Sequence, residues 1–281
     1  MYHSQTKGRG SSPSTTRQLL TFVVVTFAAT WLAYLPLVLG RIEPNSPAGI
    51  LVLILGGSAP SATAFVLSAR WEGRAGVRRL WRGGTKWRVP AVWYLALLAL
   101  PGLVSAAVWA VTAAQSAQTT FNPWIPALVS GLLAGLLEEF GWMGYAFPLL
   151  QSRYGFLRAG IATGVIVALW HVPFFFIPGT SQSMSSFPMF VLLVIVIRIV
   201  FGWVYNGTGG SILLAVLLHA VGNALPEIFN RGPMTADAPT ATEILVYSAA
   251  AVAAVLINRR HTTAHVPSNL PIPAREDAQQ R

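Results

Sequence analysis

Apolar residues along this chain come in long uninterrupted blocks, with polar and charged residues gathered between them. The pattern predicts eight helices over 19–39, 49–69, 90–111, 126–147, 159–177, 187–204, 210–229 and 241–257. Each block is near the length needed to cross ~30 Å of hydrocarbon at about 1.5 Å per residue. The fourth, fifth and seventh blocks carry polar residues, but Gly and Pro within them are compatible with membrane helices, whose neighbours satisfy the freed backbone groups. The fold class that follows is an all-α, multispanning transmembrane bundle. A tail of residues 1–18 precedes it, and a polar tail with three Pro, residues 258–281, follows and reads as disordered.

Composition agrees: only 10% of the 281 residues are charged, too few to cover a soluble surface of this size. The first block is longer than a signal-peptide core of about 7–15 residues, so it reads as a retained first span and signal anchor. The net charge of +10 has the distribution of a topology signal rather than that of a nucleic-acid surface. Lys7, Arg9 and Arg17, the run from Arg70 to Arg88, Arg153 with Arg158, and Arg259 with Arg260 all fall on one side of an eight-span bundle. Seven or nine spans would break that agreement, so both termini are expected in the cytoplasm. The composition reads as bacterial, which places the bundle in the cell inner membrane. The run 70–88 reads as a cytoplasmic loop whose charges set topology; the alternative is an amphipathic surface helix anchored by Trp71, Trp81 and Trp87.

Ionisable groups inside hydrocarbon cost at least a few kcal/mol, which makes them functional candidates. Glu138 and Glu139 stand mid-block in Leu136-Leu137-Glu138-Glu139-Phe140-Gly141-Trp142. Both cannot stay ionised cheaply there, which is the condition for one to serve as a base near neutral pH. Neighbouring helix positions are about 100° apart, so the two are expected to have different tasks. The fifth span adds His171, and the seventh adds His219 and Asn223, one turn apart on one face. Ser211 is placed to cap the seventh span. A Glu, two His and an Asn meeting in a bundle make a hydrolytic site with no Ser or Cys nucleophile; the chain has no Cys. Gly131, Gly135, Gly141 and Gly144 would let helices close around it. The same residues also permit a structural polar network, a proton or ion relay, or a metal site, although no His-Glu-x-x-His helix is present. No cofactor and no metal are expected. Arg198 and Glu227 are two further charges in spans, read as paired or snorkelling. Trp31, Tyr34, Trp93 and Tyr94 read as interface belt or packing.

Three ordered blocks resemble the CAAX-protease and bacteriocin-processing (Abi) family of intramembrane glutamate-dependent proteases. They are the Glu138-Glu139 pair, the Trp170-His171-x-Pro173 segment, and Asn206-x-Thr208-x-Gly210-Ser211 leading to His219 and Asn223, within Leu132–Phe229. The resemblance implies an eight-helix core in which Glu138 activates water with His171, His219 and Asn223 form the oxyanion site, and Glu139 supports it. The family-like core lies at 126–229. The substrate class implied is a membrane-associated or lipid-tethered peptide or protein, with the bilayer as the other partner and no nucleic acid. Two positions depart from the family pattern. Its Arg four residues after the second Glu is Met143 here, and its aromatic residue four before the His is Val167. Without that Arg, Glu139 is expected to be protonated or to find Arg198. The alternatives to an enzyme are a catalytically inactive relative acting as a membrane interaction or immunity protein, and a proton-coupled transporter.

Overall fold

Hydrocarbon offers the backbone no hydrogen-bond partner, so apolar runs of this length satisfy their N–H and C=O groups as helices. The computed structural model describes residues 13–113, 123–228 and 237–261. In chain order its α-helices are α1 (Thr15–Val38), α2 (Pro47–Gly57), α3 (Ala59–Glu72), α4 (Arg74–Gly84), α5 (Ala91–Ala113) and α6 (Trp124–Gly141). They continue with α7 (Phe147–Tyr154), α8 (Phe156–Trp170), α9 (Phe187–Gly207), α10 (Ile212–Ile228) and α11 (Asp237–His261). Among the described residues seven helical stretches are long and apolar enough to cross a membrane: Thr15–Val38, Pro47–Glu72, Ala91–Val111, Trp124–Tyr154, Phe156–Phe176, Phe187–Gly207 and Thr240–Ile257. The expected seventh span is the shorter apolar helix Ile212–Pro226. Large apolar side chains such as Leu32, Leu95 and Leu245 are exposed on the outside of the bundle, where a bilayer would cover them.

Polar residues set the helix ends. Ser14, Ser46 and Ser186 accept backbone N–H bonds from Arg17, Gly49 and Met189. Ser211 caps α10 as anticipated, accepting from the Leu214 N–H at 3.2 Å. The second span is broken at Ser58 into α2 and α3, a break absent from the reading of 49–69 as one helix. Pro60 is the cause, because it has no N–H to give the carbonyl of Gly56. Thr30 of α1 takes up that carbonyl with its hydroxyl at 2.7 Å.

The run 70–88 is helical as far as Gly84, as in the surface-helix alternative, and irregular only from Thr85 on. α3 continues to Glu72, Gly73 turns the chain at φ 64°, and α4 follows. The helix forms because one of its faces has a place to go: Leu80 is fully buried, and Gly83 lies against Ile212 of α10. At the other end of the chain, α11 runs past the expected limit at 257 to His261. Residues 262–281 of the tail, Arg231, and the side chain of Glu227 lie outside the described residues.

Two close helix approaches fix the centre. A Cβ at Gly131 would stand 2.5 Å from the Ala220 carbonyl oxygen, and one at Gly135 would stand 2.7 Å from that of Val216. α6 and α10 therefore touch backbone to backbone, the use expected for small residues in membrane bundles. Gly160 and Gly164 of α8 pack in the same way on Ile199 and Ile195 of α9. After Gly141 the span continues through a π-helical turn, Trp142–Ala146, every residue of which is fully buried. Such turns widen a helix locally and cluster at functional sites.

Candidate active site

α6 carries Glu138 and Glu139 to the point where it meets α9 and α10. Glu139 is fully buried between those helices. Nη1 of Arg198, from α9, donates to both of its carboxylate oxygens at 2.8 Å. Nδ1 of His219, from α10, lies 2.7 Å from its Oε1. A carboxylate only accepts, so Nδ1 carries the hydrogen in this contact and Nε2 is left for other work. One buried acid thus orients an imidazole and offsets a guanidinium, and the Arg198 side chain is itself only 5% exposed. Arg198 also lies 4.9 Å from the ring centre of Phe201 on its own helix.

Glu138 has a different surrounding, as two adjacent helix positions should. Its Oε2 accepts a hydrogen bond from the Trp142 indole N–H at 3.3 Å, one turn on at the start of the π turn. The two carboxylates are nonetheless close. Ligand-type atoms of Glu138, Glu139 and His219 all lie within 4.8 Å of one another. That spacing alone would admit a metal ion. The donor set fits one poorly, because both oxygens of Glu139 already face the guanidinium and the imidazole. A dication there would sit beside a fixed positive charge.

His171 ends α8. Pro173 cannot continue the α-helix and the chain passes into a short 3-10 turn, Val172–Phe176. The Nδ1 of His171 is 2.8 Å from the Val167 carbonyl oxygen. A carbonyl cannot donate, so the hydrogen is on Nδ1, and Nε2 of the neutral ring is an acceptor. Trp170, Phe174 and Phe190 surround the ring, with centroids 4.7, 5.6 and 5.3 Å away. His171 does not join the tight group of Glu138, Glu139 and His219. Asn223, one turn beyond His219 on α10, is exposed.

Three groups carry more of the site than reading the sequence assigned to them. Trp142 packs edge-on against Trp170 and Phe22, with centroids 5.6 Å from each. The Trp170 N–H donates to Thr30, and the Trp31 N–H donates to the Trp170 carbonyl. Trp31 therefore does more than sit in an interface belt, and Tyr34 is buried, donating to the Leu53 carbonyl. The signal in the sequence is weak, because Thr30 is one of several Thr within the apolar run of α1 and its partners are remote in the chain. The third block has a structural part: the Asn206 and Gln151 carboxamides exchange hydrogen bonds at 3.1 Å. Thr208 bonds the Val204 carbonyl, and Gly209 and Gly210 turn the chain at positive φ. This turn sets the direction in which α10 presents His219.

Residues 120–225 match the family model for Type II CAAX prenyl endopeptidase Rce1-like proteins. A protein named CAAX prenyl protease 2 from Methanococcus maripaludis is 34% identical over 147 residues, covering 50% of this chain and 53% of the relative. The chain thus spans about half the length of that curated relative.

Proposed function

We propose, from the match of residues 120–225 to the Rce1-like CAAX protease model and from the similarity to CAAX prenyl protease 2, that the chain is a glutamate-dependent intramembrane endopeptidase of that family. The observation that carries the proposal is the buried group of Glu138, Glu139 and His219 inside a bundle of membrane-length helices. In the reaction we propose, Glu138 takes a proton from water while the hydroxyl oxygen bonds to the peptide carbonyl carbon. His171, with an acceptor nitrogen available at Nε2, assists in holding that water. The carbonyl oxygen becomes an oxyanion, which the Nε2–H of an imidazolium at His219 and the Asn223 carboxamide stabilise by donation. Glu139 offsets the imidazolium, and Arg198 offsets Glu139. The C–N bond then breaks, and the proton held by Glu138 passes to the leaving amine.

The substrate class is a membrane-associated or lipid-tethered peptide or protein, since the acids are carried by a helical stretch long and apolar enough to cross a membrane. The basic segments support eight spans with both termini cytoplasmic in a cell inner membrane, α10 being the short seventh of them. A second reading, a family relative that binds without cleaving, draws on Met143, a fully buried apolar residue at a position where the family pattern has Arg.

The deciding experiment follows cleavage of a lipid-tethered fluorogenic peptide by the purified chain in proteoliposomes. Wild type is expected to cleave, and Glu138→Ala to be inactive at equal thermal stability. Equal cleavage by Glu138→Ala would remove the proposal; no cleavage by wild type under any lipid composition favours the second reading.

A further inference from the structure

Between the candidate spans Pro47–Glu72 and Ala91–Val111 the chain crosses one membrane surface as α4 and a short connection. The inner face of α4 is held rigidly. Leu80 is buried, Gly83 meets Ile212, and Arg79 joins three elements. Its Nη2 and Nε donate to the Glu72 carboxylate at 2.8 and 3.2 Å, and its Nη1 donates to the Gly144 carbonyl in the π turn at 3.0 Å. The outer face carries Arg74, Arg78 and Arg82 at i, i+4 spacing, all exposed. Like charges at that spacing repel. The acid nearest in sequence, Glu72, is committed to Arg79. Among the described residues no carboxylate lies within salt-bridge distance of those three arginines. Beside them is an open groove of about 530 Å³ lined by Ala69, Gly73, Arg74, Val77, Arg78 and Trp81, the indole of Trp81 being 58% exposed.

We propose that this groove is a binding site for an anionic phospholipid. Arg74 and Arg78 donate to the phosphate oxygens, Val77 and Ala69 line the path of the first acyl carbons, and Trp81 lies at the headgroup boundary. The charge pattern selects the occupant: two guanidinia without a counter-anion, on a preorganised helix at a lipid surface, with an apolar floor that inorganic phosphate would not use.

The test is native mass spectrometry of the full chain in detergent, titrated with short-chain phosphatidylglycerol, phosphatidylcholine or inorganic phosphate. A saturable adduct of one phosphatidylglycerol is expected, with phosphatidylcholine and phosphate binding at least about tenfold more weakly. Arg74→Gln with Arg78→Gln should weaken the adduct about tenfold, whereas Arg82→Gln, outside the groove, should change it less than about twofold. Trp81→Ala keeps both guanidinia and should weaken it about threefold, so the site is testable even if the double variant does not fold. Equal binding of phosphatidylcholine or phosphate overturns the proposal. So does an unchanged adduct in the folded variants, or an Arg82→Gln effect equal to that of the double variant.

Discussion

Arg198 of α9 places one nitrogen 2.8 Å from each oxygen of Glu139 on α6, and both side chains are buried. Removing one member of a buried pair strands the other, at a cost of about 3–5 kcal/mol, whereas removing both is far milder. Arg198→Met should therefore lower the thermal midpoint in detergent substantially and abolish cleavage. Glu139→Gln added to Arg198→Met should recover much of the stability and none of the activity, because the imidazole then loses its charged acceptor. Equal midpoints for wild type and Arg198→Met would show that the pair is not a working contact in the membrane.

Met143 leads to a second expectation. It lies in the π turn, fully buried, four residues after Glu139. If Arg198 has taken over the cationic contact to that acid, a guanidinium introduced at 143 is redundant in wild type and also overpacks the turn. Met143→Arg alone should lose activity, and in an Arg198→Met background it should restore part of what that substitution removed. Steady-state cleavage by the four combinations measures the coupling. Strict additivity would mean that the two positions do not share Glu139.

The elements that could be read before the structure were those that chemistry forces. Apolar runs must be helical in lipid, and an acid inside one is costly unless neutralised, so with Met at 143 two outcomes are open to Glu139, protonation or a contact with Arg198, and the structure has the second. Ser211 was visible as a cap for the same reason: a helix end needs an acceptor. The break at Ser58 was not visible, because Pro60 is tolerated in a span whenever a neighbour supplies the missing donor, and Thr30 is thirty positions away in the chain. Composition does not decide between loop and surface helix for α4, since a basic segment has the same composition whether or not Leu80 and Gly83 find a face to pack on. The position of His171 outside the tight group depends on where Pro173 ends α8, a matter of a single turn.

Glu138 and Trp142 separate the chemistry from its positioning. The carboxylate is the proposed base, and a positioned general base contributes about 10²–10⁴-fold. Glu138→Gln keeps the shape and the indole contact and should reduce the cleavage rate by that range with an unchanged thermal midpoint. Trp142→Phe removes the hydrogen bond at 3.3 Å and some buried volume while keeping an aromatic ring near Trp170 and Phe22. It should reduce turnover by about tenfold, the effect of about 1.4 kcal/mol. A larger loss in Trp142→Phe than in Glu138→Gln would reverse the assignment of roles.

Gly135 tests whether the site depends on the contact between α6 and α10. A methyl group there would stand 2.7 Å from the Val216 carbonyl oxygen, so one helix has to move. Overpacking of this kind typically costs about 1–3 kcal/mol. Since Glu139 sits one turn from Gly135 on α6, and His219 one turn from Val216 on α10, the displacement is passed directly to their 2.7 Å contact. Gly135→Ala should lower both the thermal midpoint and the cleavage rate, and Gly102→Ala on α5, with nothing within 4 Å of its added Cβ, should alter neither. Indistinguishable behaviour of the two substitutions would show that the two helices are not in backbone contact.

Glu138, Glu139 and His219 present three ligand-type atoms within 4.8 Å, a spacing that a zinc hydrolase would also show. Structural and catalytic zinc sites leave their carboxylates free to coordinate, but here Arg198 and His219 occupy both oxygens of Glu139. Only Glu138 and the second nitrogen of His219 remain, fewer than the three protein ligands that a catalytic zinc requires. Prolonged treatment of the purified chain with a strong chelator should therefore leave the cleavage rate and thermal midpoint unchanged, and added zinc should inhibit, by taking Glu138 out of service. Loss of activity on chelation, restored by stoichiometric zinc, would mean that Arg198 leaves Glu139 when the metal binds and that the glutamate acts as a ligand instead of an anchor for the imidazole.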